Sequence, residues 1–302
     1  MASARADKQT KARGYMIQME GQPTKNQLPM NSVPWALDGL PPFPLIATRL
    51  LVLLAQEDPD ITEVGRIISA EPVYAARVLQ MANSPLFALR AQVKTLSHAI
   101  VLLGLARIRS ITVTRALGDF VAPVLNVRAL RVCWQNSLAG ALVAEKLARP
   151  CRMDTDFAYV AGLVRDIGRL ALLVKHPESF TTLLTISGEQ AFDLMTTERK
   201  LFDIDHCQAG AWMIERVPLP PELIEVVAHH HDLPDGKAFR MVHLVRVADR
   251  MADTLGFAVA PPAPPLEFAE VLRELPEPAR SGFDYDPADL RLEIETKIQS
   301  WG

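Results

Sequence analysis

The sequence predicts an all-α protein, and three observations carry that reading. Apolar residues return every three to four positions through nearly every segment after Pro41. No stretch alternates apolar and polar residues between turn dipeptides, as a half-buried strand would. The periodic segments are short and joined by brief Pro/Asn/Asp loops, which fits compact helix packing. The 302 residues are 49% hydrophobic and 22% charged, enough for one large domain or two moderate ones.

Taken in order, residues 1–39 are polar and show no helical period. They carry five Lys/Arg against two Asp/Glu up to Asn26 and read as a flexible tail, with a basic arm toward an acidic partner or nucleic acid as the alternative. "LPPFPLIATRLLVLLAQ" opens on prolines, which suit a first helical turn. "DITEVGRIISAEP" sets Ile61, Val64, Ile67 and Ile68 on one face, with Asp60 placed to cap the start. "VYAARVLQMAN" and "LSHAIVLLGLARIRSITVTRAL" continue the pattern, and Asn83-Ser84-Pro85 between them reads as a helix stop. Helices are expected over 132–147, 157–174, 180–186, 191–202, 209–217 and 223–231. Four prolines among Pro261–Pro265 mark residues 256–265 as a stiff linker. Residues 266–302 hold nine acidic against four basic residues, and Leu290, Ile294, Ile298 and Trp301 form a helical stripe. That stripe needs a cover, either its own domain or a second copy of the chain.

Composition also excludes. No apolar run reaches the roughly 18 residues of a membrane span, and the N-terminus lacks the apolar core of a signal peptide. A cytoplasmic protein with no membrane partner is expected. Cys133, Cys151 and Cys207 are odd in number, far apart and outside any CxxC, so they read as free thiols. A net charge of -3 does not fit bulk nucleic-acid binding. Arg107, Arg109 and Arg115 do not share one helical face and read as solvated.

The informative residues are polar groups in apolar surroundings. "AGLVRDIGRL" reads as a buried helix interrupted by Arg165 and Asp166, and buried charge is costly unless paired. Asp249 sits similarly in "LVRVADRMA". Five of seven histidines lie in the last third of the helical region, including the run His229, His230, His231. Histidines near carboxylates are what a divalent-metal site needs.

The order Asp166, His206, His230/His231, Asp249 resembles the HD superfamily of metal-dependent phosphohydrolases. In "AGLVRDIGRL" the His-Asp of that pattern has become Arg165-Asp166, and in "CWQNSLAGALVAEKLA" its first His has become Asn136. "HCQAG" matches the His-x-x-x-Gly element through His206 and Gly210, and both 229/230 and 230/231 fit its His-His step. The first half carries Leu40-Pro41-Pro42, Glu71-Pro72, Asn83-Ser84, Ala99-Ile100 and Leu103-Gly104. With these, residues 40–255 resemble the HDOD domain, a non-catalytic relative of the HD hydrolases found in bacterial signalling proteins. Glu71 departs from the usual Asp at that position.

The resemblance implies a two-lobed helical HDOD domain, with an N-terminal lobe over 40–120 and a degenerate HD bundle over 121–255. It implies a signalling regulator that contacts other proteins, without enzyme activity, cofactor or metal. A nucleotide sensor using the vestigial pocket, with Arg165 as anion anchor, and a residual metal-dependent phosphohydrolase are the alternatives. Arg cannot ligate a metal as imidazole does, because its guanidinium stays protonated. Arg165 either stands in electrostatically for the lost metal or turns out to solvent.

Overall fold

The computed structural model describes residues 33–83, 92–189, 193–234, 238–260 and 265–299. The tail reading of residues 1–32, the proline run 261–264, Ser84, Pro85 and Trp301 lie outside them. Among the described residues every regular element is helical, so the protein is all-α. No single described helix is long and apolar enough to cross a membrane.

The first group of helices is α1 (Leu45–Leu54), α2 (Ile61–Ser69), α3 (Pro72–Ala82), α4 (Leu96–Leu103) and α5 (Leu105–Val121). Local chemistry sets their ends. Pro44 precedes α1, Asp60 accepts from the Thr62 amide at the start of α2, and Thr95 accepts from the His98 amide at α4. The run read as one pattern over 96–117 breaks at Gly104, whose φ of 79° disfavours any side chain, and the chain turns by 106° there. Asn83 is more than a stop. Its Nδ2 donates to Leu79 O at 2.8 Å and Val93 O at 2.9 Å, and its Oδ1 accepts from the Val93 amide at 2.7 Å. One side chain thus ties together the two ends of the α3–α4 connection.

The second group comprises α6 (Arg128–Ala148), α7 (Thr155–Val164), α8 (Ile167–Lys175), α9 (Pro177–Glu189), α10 (Leu194–Phe202), α11 (His206–Ile214), α12 (Glu222–His229) and α13 (Met241–Ala252). Buried apolar side chains form two clusters, one mainly from α1 to α5 and one mainly from the later helices, which meet along α5. Ile108 and Ile111 of that helix belong to the first, and Val113, Leu117, Phe120 and Val121 to the second.

Three short helices close the chain: α14 (Phe268–Leu272), α15 (Glu277–Ser281) and the longer α16 (Pro287–Gln299). Val271, Leu275, Phe283, Leu290, Ile294 and Ile298 all enter the second core, so the C-terminal stripe is covered by its own chain. At the other end, Ala36 and Leu37, assigned to the tail by composition, are fully buried in the same core.

Two expectations are corrected. The arginines of α5 are not a solvated face: Arg107 pairs with Glu145 at 2.6 Å and Asp156 at 2.9 Å, and Arg109 donates to Leu54 O, closing the end of α1. Arg115, half-buried, pairs with Asp119 at 2.5 Å. The helix expected over 157–174 is two helices, broken at Arg165-Asp166, because those two side chains serve the site described next.

Candidate functional site: a buried charge network

Helices α6, α7, α8, α10, α11, α12 and α13 bring polar residues from their spans or ends to one point. Arg165 closes α7 and Asp166 precedes α8, with backbone angles (φ −103°, ψ 21°) that end one helix and start the next. The Arg165 side chain is wholly buried. Its Nη1 donates to Gly162 O at 2.7 Å, satisfying a carbonyl left open by the helix end. Its Nε and Nη2 both donate to Asp249 Oδ1 on α13, at 2.9 and 2.6 Å. Nη2 also donates to Asn136 Oδ1 and Asn136 O on α6. Asn136 in turn donates through Nδ2 to Phe257 O at 3.0 Å. The solvent-turned alternative for Arg165 is therefore not what the fold adopts.

Asp166 faces four groups. Arg165 Nε lies at 3.4 Å, Arg169 Nη1 at 3.2 Å, His230 Nε2 at 3.6 Å and His206 Nε2 at 3.7 Å. Burial opposes its charge, yet Arg169 and Arg165 hold the carboxyl well below its ordinary range. Burial likewise opposes the charge on Arg165, and Asp249 and Asp166 outweigh it, so the guanidinium is held charged.

The histidines are oriented from behind. Glu198 of α10 is fully buried and accepts from both the backbone amide and Nδ1 of His206, at 2.9 and 2.6 Å. Burial pushes Glu198 up to about 7. His206 itself is held well below the usual imidazole range by burial and by Arg169, whose Nη2 sits 3.2 Å from Nε2. His230 Nδ1 bonds Val227 O at 3.0 Å, turning Nε2 toward Asp166. His231 Nε2 lies 2.9 Å from His206 Nε2, while His229 turns to the surface and bonds Asp232. The pair aimed at the site is thus 230/231.

All seven residues singled out from the sequence, Asn136, Arg165, Asp166, His206, His230, His231 and Asp249, contribute to this one network. Arg169, Glu198, Cys207 and Asp253 escaped sequence reasoning. Arg169 had a signal, since it stands three residues after Asp166 on the next helical turn. Glu198 had none, because its partner is made by the fold of α10 onto α11. Asp253, pushed up to about 8 by burial and then by neighbouring Asp249, meets Asn136 Nδ2 at 3.5 Å.

The donor set was tested for a divalent metal. In its favour, the nitrogens and sulfur of His206, Cys207, His230 and His231 lie within 4.8 Å of one another, and the backing of His206 by Glu198 is of the kind that orients metal ligands. Against it, Asp249 is committed to Arg165, Asp166 is flanked by two guanidinium groups, and burial raises the Cys207 thiol. Two fixed cations at the carboxylates repel a third. The residues do not fit the metal centre of a phosphohydrolase.

The sequence profile of the HDOD domain matches residues 40–233. The chain belongs to the HDOD family. A crystal structure of an HDOD domain protein of unknown function from Geobacter sulfurreducens aligns with a TM-score of 0.61 at 25% identity, covering 87% of this chain and 91% of that one. Two others share the fold. A Shewanella amazonensis SB2B protein provisionally named a phosphohydrolase aligns with a TM-score of 0.63 at 23% identity, covering 89% of this chain and 95% of that one. A Marinobacter aquaeolei VT8 protein provisionally named a signal transduction protein aligns with a TM-score of 0.57 at 21% identity, covering 87% and 57%. An uncharacterized protein of Treponema pallidum (strain Nichols) is 23% identical over 202 residues, which are 65% of this HDOD chain and 39% of that relative's length.

Proposed function

We propose that this HDOD protein is a non-enzymatic regulator of bacterial signal transduction that works by contacting other signalling proteins. The observation that carries the proposal is the bond set of Arg165. A permanent cation occupies the place where the HD pattern has a histidine ligand, and it neutralises Asp249 directly. Such a centre lacks one nitrogen ligand of the set that would hold a metal and its reactive water. It holds α6, α7 and α13 together instead.

The first helices offer exposed apolar side chains for such contacts. Leu45, Val52, Ile61, Val73 and Val101 are large apolar side chains, each more than 40% exposed, all on α1 to α4. A nucleotide anchored on Arg165 is not favoured, because an anion there would have to displace Asp249 and Asn136 from the guanidinium.

The test is a hydrolysis assay. Purified protein is supplied with Mn²⁺, Fe²⁺ or Zn²⁺ and offered cyclic dinucleotides and bis(p-nitrophenyl) phosphate. No turnover above a metal blank is expected. Turnover that disappears in Asp166→Ala would overturn the proposal.

A further inference from the structure

Helix α1 reads LIATRLLVLL, and every residue but Thr48 and Arg49 is apolar. A helix apolar all round is normally buried all round. Here Ala47, Leu50, Leu51 and Leu54 are buried, while Leu45 is 70% and Val52 51% exposed. Ile46 and Leu53 are half-buried and, with Ile67 of α2, line an open groove of about 320 Å³ between the two helices. None of its lining residues belongs to the Arg165 network. A contiguous exposed apolar face of this kind marks an interaction surface.

The charges select the occupant. Arg49 is exposed amid these apolar residues and makes no hydrogen bond or ion pair among the described residues. Glu63 of the groove feels its charge, but Arg66 Nε and Nη2 already hold that carboxylate at 2.6 and 2.5 Å. The lining therefore carries one cation in excess. Glu57 and Asp58 lie beyond it, exposed in the turn after α1. A second copy does not fit. Arg49 stands at the middle of α1, so a two-fold contact centred on this face sets like charge against like. Nor does the chain's own start fit, with five Lys/Arg against two Asp/Glu up to Asn26.

We propose that this groove docks an amphipathic α-helix of a partner protein, its apolar side chains against Ile46, Leu53 and Ile67 and a carboxylate received by Arg49. A helix laid in a groove gains affinity from its apolar stripe, and a carboxylate on a guanidinium fixes its register. Glu57 and Asp58 favour a basic residue at that end of the guest. The inference rests on the reading that this protein works by contacting other proteins, and it names the surface and the chemistry of the helix.

The experiment selects a displayed library of amphipathic helical peptides, each with a leucine stripe and one randomised position inside it, on the full chain. Wild type should enrich Asp or Glu at that position, and Arg49→Glu should enrich Lys or Arg. Val52→Asp should enrich nothing. A synthetic peptide from the wild-type selection should bind Arg49→Glu at least about tenfold more weakly than wild type. Both side chains are exposed, so the variants should keep the wild-type Tm. The proposal is overturned if no peptide is enriched, if wild type and Arg49→Glu select the same residue, or if Val52→Asp selects as wild type does. Sedimentation alone and with vesicles of phosphatidylglycerol and phosphatidylcholine tests the other occupants. A dimer, or vesicle binding, that Val52→Asp abolishes would give the face to a second copy or to lipid and overturn the proposal. Any of these failures leaves the non-enzymatic reading standing, since the hydrolysis assay decides that separately.

Discussion

Arg165 and Asp249, 84 residues apart in the chain, are joined by two hydrogen bonds to a single carboxylate oxygen, at 2.9 and 2.6 Å. The guanidinium is fully buried, and the Asp249 side chain is 16% exposed. A pair of this kind is held in place by the cost of separating it more than by any gain over apolar packing.

Arg165→Ala should therefore destabilise the protein by about 3–5 kcal/mol, far above the 0–1 kcal/mol of an exposed pair. Urea denaturation at neutral pH reads the difference. Asp249→Ala should add less than its own single cost on the Arg165→Ala background, since the partner is already gone. Full additivity would mean that the two residues act independently.

Gly140 lies against the same guanidinium. A Cβ at this position would come within 2.7 Å of Arg165 Cζ, inside any real contact distance. Gly140→Ala should cost about 1–3 kcal/mol, as overpacking does in a filled core. In Arg165→Ala the obstacle is absent, and the same substitution should cost less than about 1 kcal/mol, with the alanine helping the α6 helix. Thermal melts of the four proteins of this cycle check the coupling.

Supplying the two imidazoles of the HD pattern should create metal binding. Arg165→His with Asn136→His supplies two neutral imidazoles and removes a cation that faces Asp249 and Asp166. Calorimetric titration with Mn²⁺ should show binding to the double variant and none to wild type. Silence from the double variant would show that the pocket has been reshaped beyond its ligand set.

The pH dependence follows from Asp253. Its carboxyl is raised to about 8 in the fold, so the native state holds a proton that the unfolded chain releases near its ordinary value of 3.8. Stability therefore falls as pH rises between those two values. Asp253→Asn removes the charge, so its stability relative to wild type should grow from pH 5 to pH 9, on the order of 1–3 kcal/mol. Glu198, raised to about 7, acts in the same direction, whereas His206, held low, makes wild-type stability rise up to about 6.5. The mutant-minus-wild-type difference isolates Asp253 from both. A difference that shrinks with pH would show that this carboxyl is not held protonated by the fold.

What the sequence determined by itself was the helical class, most helix starts and the residues that converge. Those are local facts: a 3.6-residue period, a capping Asp60, a proline at the first turn of α3. The order of Asn136, Arg165, Asp166, His206, His230, His231 and Asp249 was legible because their residue types and order match the HD and HDOD patterns. Tertiary structure alone decided what these residues do. Whether Arg165 turned outward or inward depended on where α13 places Asp249, and on Gly140 leaving room on α6. Glu198 became the backing of His206 because α10 packs before α11, a contact that no period or spacing encodes. The C-terminal stripe found its cover in the second core, and Ala36 was buried despite its polar surroundings. Burial and long-range pairing are properties of the packed chain, and the charges of this site take their meaning from both.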